Sequence, residues 1–101
     1  MATRRYLCSQ LVRLAVSGRV LWANLEEIWP EGAVLDCEDE IFAGGAARIS
    51  SENASFEGEI THVERDESGW RIEMTFSEHN LWSPAQWMPE HALDPETLRP
   101  K

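Results

Sequence analysis

The sequence predicts an all-β domain, a barrel or a sandwich, on three observations. Short runs rich in valine, isoleucine, leucine and tryptophan recur along the chain, parted by Gly, Pro, Asn, Asp and Ser. Residues 69–77 alternate with a strict period of two: Trp70, Ile72, Met74 and Phe76 share one face, and Arg71, Glu73 and Thr75 take the other. The chain has 101 residues, enough for one modest core and too few for a second, so these runs belong to a single domain, 1–101.

The first strand is expected at 10–16 and the second at 19–28, where Val20, Leu21, Trp22, Leu25 and Ile28 favour extended backbone. Pro30 and Gly32 break the pattern before a third strand at 33–37. An acidic stretch, 36–40, follows, and Gly44-Gly45 turns the chain into a strand at 46–50. Residues 55–64 set Phe56, Gly58 and Ile60 against Glu57, Glu59 and Thr61; Val63 falls out of phase, which predicts a bulge near His62. Residues 65–68 then make the hairpin into 69–77. In the tail, Ser83 is placed to cap a helix, with Pro84 at its first position and Gln86 completing a capping box. Trp82 and Trp87 fall at the two positions of a hydrophobic staple, and Pro89 should stop the helix within about a turn or two. Asp94-Pro95-Glu96 offers a second, single-turn start. Trp22 and Trp70 are expected in the core; for Trp29, Trp82 and Trp87, an exposed patch and burial under the tail both remain open.

Composition narrows the function classes. A hydrophobic content of 43% with five tryptophans describes a folded globule. No apolar run approaches the ~20 residues of a membrane span, so no membrane insertion is expected. Arg4 and Arg5 precede apolar residues as in a signal peptide, but Ser9, Gln10 and Arg13 interrupt the apolar centre. Cys8 and Cys37 have neither metal-site nor redox spacing, and a reduced, cytoplasmic compartment fits them. The net charge of −9 is uneven: residues 1–25 carry +4 with no acid, and residues 26–101 carry −13. Such an acidic body repels a phosphate backbone, which argues against DNA or RNA binding. The basic arm either lies against the acidic body or in solvent, or presents arginines to a small anion or an acidic partner.

Catalytic and metal patterns are absent from the sequence. Asp36-Cys37-Glu38-Asp39-Glu40 has Ile41 where an EF-hand loop needs glycine. His62, His79 and His91 have no ligand-like spacing with the cysteines. Ser9, Ser17 and Ser83 lie in no nucleophile elbow, and Gly44-Gly45 lacks the Lys-Ser/Thr of a phosphate loop. Glu57 and Glu59 share a strand face that reads as its wet side, and no enzyme activity is expected.

One stretch carries a family resemblance. Glu27-Ile28-Trp29-Pro30-Glu31-Gly32-Ala33 joins two β-patterned runs through a tight break and Gly-Ala. With the frame from Asn24, the Gly44-Gly45 turn and the closing hairpin, it is similar to the PilZ domain across about residues 8–77. The resemblance implies a small six-stranded antiparallel β-barrel over 8–77, with the short helical segment in a tail over 78–101. It also implies a bacterial regulatory module of cyclic di-GMP signalling. The family's Asp/Asn-x-Ser-x-x-Gly signature falls on Glu27, Trp29 and Gly32; its Arg-x-x-x-Arg motif falls on Arg4 or Arg5, with Cys8 or Ser9 at the partner position. By resemblance, therefore, the ligand-binding residues are Arg4, Arg5, Glu27, Trp29 and Gly32. Glu27 moves its carboxylate out by a methylene, Trp29 offers no small hydroxyl, and the second arginine is missing. Each lost buried partner costs ~1–3 kcal/mol. Cyclic di-GMP binding in the family's manner is accordingly not expected, and the expectation is a degenerate member acting on an unknown protein partner. The alternatives are a cyclic di-GMP sensor with altered contacts that include Arg13, and an unrelated SH3-like interaction barrel.

Overall fold

The computed structural model describes residues 4–94. Six strands, β1 (Tyr6–Val16), β2 (Arg19–Trp29), β3 (Gly32–Cys37), β4 (Ala46–Ser51), β5 (Ala54–Arg65) and β6 (Trp70–Phe76), close into an antiparallel barrel. The order around the wall is β1-β2-β3-β6-β5-β4. A barrel, not a sandwich, is thus the architecture, and every strand pairs on both sides, which removes most of the edge an open sheet would leave unpaired. Ser17 and Gly18, at φ 51° and 75°, turn β1 into β2 with the left-handed backbone that suits a two-residue hairpin.

Alternation fills the interior. Val12, Leu14 and Val16 of β1 meet Ala23, Leu25 and Ile28 of β2, Ala33 and Leu35 of β3, and Ile72, Met74 and Phe76 of β6. The last three confirm the inward face expected of 69–77, while Trp70 at the strand's start is only half-buried. The expected bulge is present: pairing of β5 with β6 shifts between Ile60 and His62, which returns Val63 to the core side. A second shift, between Leu25 and Glu27, leaves Glu26 as the extra residue in β2.

The barrel closes unevenly. β4 pairs with β1 only along Arg13–Val16. The remaining edge of β1 is covered by the tail: Leu7 and Leu93 exchange N–H···O bonds of 2.9 and 2.6 Å, and the Ser9 amide donates to the Glu90 carbonyl at 3.2 Å. Trp82 plugs the adjoining end, 1% exposed, in an edge-to-face contact with Tyr6 whose ring centroids lie 5.5 Å apart. Its Nε1 donates to the Trp87 carbonyl at 2.8 Å, and Trp87 packs against Phe56. The expected helix from Ser83 is corrected to a single turn, in which the Gln86 and Trp87 amides both donate to the Ser83 carbonyl. The Trp82 indole takes the Trp87 carbonyl, and Pro89 forbids propagation, so a costly nucleus has nothing to extend. The second expected start, at Asp94-Pro95-Glu96, lies outside the described residues apart from Asp94. Among the described residues no helix is long and apolar enough to cross a membrane.

Trp22 corrects another expectation. It lies opposite Arg13 on the outer side of the wall and is 58% exposed. Its neighbours Ala23 and Leu25 take the inner side, and strict alternation then turns Trp22 outward.

Candidate functional site

Of the five residues singled out by resemblance, the barrel brings four together. Trp29 is outward-facing at the end of β2, pairs with Gly32 across the Pro30-Glu31 turn, and is nevertheless only 8% exposed. The Arg5 guanidinium lies over its ring at 3.9 Å to the centroid and also stands 3.9 Å from Glu27. Gly32 is the floor of this stack. A Cβ there would come within 2.9 Å of the Trp29 ring and 2.4 Å of the Met74 carbonyl oxygen, so the approach of indole to backbone requires glycine. Arg4 stands apart from the stack and pairs with Asp94 of the tail at 3.1 Å.

A residue that sequence reasoning missed completes the cluster. Arg71 of β6 reaches across β3 to Glu27 at 3.1 Å and to Glu26 at 3.3 Å. Its partners are 44 and 45 residues away in sequence, and only the strand order β2-β3-β6 makes them neighbours. Both basic groups at this face are therefore already engaged by carboxylates. A phosphodiester arriving here would meet Glu26 and Glu27 on the same arginines it needs.

The acids continue along the wall. Asp36 lies between Asn24 of β2 and Arg71 of β6, and its Oδ1 is buried without a hydrogen-bond donor. A side-chain interaction with Glu26, then burial, then repulsion from Glu26 and Asp66, push the Asp36 carboxyl up to about 7 from 3.8. Burial, with Glu27 and Glu26 adding to it, pushes the Cys8 thiol up to about 12 and keeps it protonated. Among the described residues no group of three or more His, Cys, Asp or Glu side chains could hold a metal ion.

A second outer surface lies further along the same two strands. Leu11, Val20 and Trp22, 59%, 68% and 58% exposed, stand outward on β1 and β2. Leu11 and Trp22 form a ridge between two grooves. One, of about 610 Å³, has Val20 and Asn24 beside the ridge, and its charged lining is Asp36, Glu38 and Asp39 alone. The other holds Arg13, whose guanidinium stands 5.4 Å over the Trp22 ring, together with Glu52, Met88 and Glu90. The signal for this surface was present in the phase of β2, where Ala23 and Leu25 face inward.

No protein-family model and no curated protein sequence matches the chain.

Proposed function

We propose that this barrel is a PilZ-like bacterial regulatory module, cytoplasmic and linked to cyclic di-GMP signalling, that acts by contact with a protein partner. The observation that carries the reading is the outward ridge of Leu11, Val20 and Trp22. Large apolar side chains grouped on an outer wall, with polar groups around them, fit a protein-binding surface. The usual nucleotide contacts, by contrast, are turned inward on one another: Arg5 rests on Trp29, and Glu27 holds Arg71. The strand order and the Gly32-centred break support the PilZ side of the reading.

Two measurements test it together. Calorimetric titration with cyclic di-GMP is expected to give no low-micromolar heat. A pull-down from a native bacterial lysate is expected to capture a partner that Trp22→Ala protein loses. Heat fitting a low-micromolar site and abolished by Arg4→Ala with Arg5→Ala would replace this reading with a nucleotide sensor of altered contacts.

A further inference from the structure

Resting on that reading, we infer that the groove between the Leu11–Trp22 ridge and the end of β3 seats an extended basic segment of the partner, its lysine or arginine lying along Trp22 with the charge against Asp36, Glu38 and Asp39. Two independent properties of the groove meet in this ligand. Its charged lining is anionic throughout, with three carboxylates and no cation. Its other wall is apolar, with Leu11, Val20 and Trp22 all more than half exposed. An acidic or neutral apolar segment would leave the carboxylates desolvated without a counter-charge. A purely basic one would leave the indole uncovered. A long cationic side chain satisfies both, because its stem packs on the ring while its head reaches the acids.

The ring is suited to this use. Arg13 stands over Trp22 and lines the neighbouring groove, not this one, so the cation already present is on the far side of the ridge. The segment would also be sensed by charge beyond its direct contacts. Asp36 is flanked by Glu26 and Glu27 on β2, by Arg71 on β6, by Asp66 in the turn before β6, and by Glu38 and Asp39 after its own strand. Arg71 is held by Glu26 and Glu27, and Glu26 beside Asp36 favours the protonated Asp36 carboxyl below about pH 7. An incoming cation favours the ionised form and expels that proton. Affinity then rises as pH approaches about 7 and levels off above it.

Panning a phage-displayed random peptide library on the intact protein, followed by calorimetry on the selected synthetic peptides, tests the inference. The expected peptides place Lys or Arg beside aliphatic residues. Trp22→Ala, and separately Glu38→Gln with Asp39→Asn, should weaken them about tenfold or more. Binding should strengthen by up to about tenfold per pH unit below neutrality, for one proton released. Asp36→Asn should flatten that slope. Selected peptides that need Trp22 but lack cations would overturn this inference and leave the contact reading standing. Peptides indifferent to Trp22→Ala, or no enrichment, would overturn both. A concentration-dependent dimer broken by Trp22→Ala, seen in equilibrium sedimentation, would place a second copy of the chain in the groove instead.

Discussion

Trp29 and Trp22 are both outward-facing tryptophans of β2, and each has an arginine from the β1 side over its ring. Arg5 lies 3.9 Å from the Trp29 centroid and Arg13 lies 5.4 Å from that of Trp22. Yet Trp29 is 8% exposed and Trp22 is 58% exposed. The difference comes from what surrounds each pair. Under Trp29 a glycine lets the indole sink to the backbone, and Glu27 beside it holds both Arg5 and Arg71. Around Trp22 there is no such floor, and grooves open on either side. The same residue pair is thus a sealed structural joint at one end of the strand and an open ridge at the other. The proposed contact surface lies at the end that the fold leaves open.

The largest effect should separate the two tryptophans directly. Trp29→Ala removes a buried ring and is expected to cost about 3 kcal/mol in urea denaturation. Trp22→Ala should stay within about 0.5 kcal/mol, as for an exposed side chain. Equal losses would mean that the ridge is part of the folding core after all. Gly32→Ala comes next, at about 2 kcal/mol, since the new methyl group meets the Met74 carbonyl and the indole together. If Gly32→Ala is neutral, the indole is not held against the backbone as described.

A pH series sharpens the boundary between the two regions, where Asp36 sits. Its carboxyl titrates at about 7 folded, against 3.8 as the unperturbed value. Between those values the folded chain holds more protons than the unfolded chain. Stability from this group is therefore fully present at acid pH and is lost as pH rises through about 7. The melting temperature of the native protein should fall across that window, and Asp36→Asn should remove this part of the fall. An identical slope in both proteins would mean that Asp36 does not hold its proton up to about pH 7 in the folded chain.

How much of this was legible in the sequence depends on the range of the interaction. The inward face of β6 and the bulge after Ile60 follow from alternation, which is local, and both were read correctly. Trp22, expected in the core, lies outside, and for Trp29 the sequence leaves exposure and burial open. Residues 22 and 29 are an odd number apart, so a regular strand would place them on opposite faces. The extra residue at Glu26 restores the phase and turns both outward, and nothing in the local pattern marks it. Trp29 then becomes buried through Arg5 and Gly32, one from just before β1 and one from beyond a turn. The family frame places Arg4, Arg5, Glu27, Trp29 and Gly32 in one site; the last four cluster and Arg4 pairs with Asp94, while Arg71 is invisible in the sequence because its contacts pass over β3 to β2. In the tail, the Ser83 capping signals were genuine local preferences. They yielded to Trp82, whose indole bond to the Trp87 carbonyl holds one turn where a helix was expected.

The smallest effects lie in the arginines, and they ask whether the two pairs differ in strength as well as in exposure. A double-mutant cycle on Arg5→Ala and Trp29→Leu should give a coupling of about 1 kcal/mol, and one on Arg13→Ala and Trp22→Leu no more than about 0.5 kcal/mol. Arg5 is closer to its ring, and Glu27 holds it there; the Trp22 ring is more than half exposed, so water screens Arg13. Salt should separate them further, because contacts between exposed charges and rings fade as ions screen the cation. A weak Arg13 contact fits a ridge that receives a ligand, since little internal binding has to be given up on either side of the indole. Coupling at Trp22 as strong as at Trp29 would mean that Arg13 closes the ridge in the free protein. A partner would then have to displace it, and Arg13→Ala would tighten binding where the open-ridge reading expects no change.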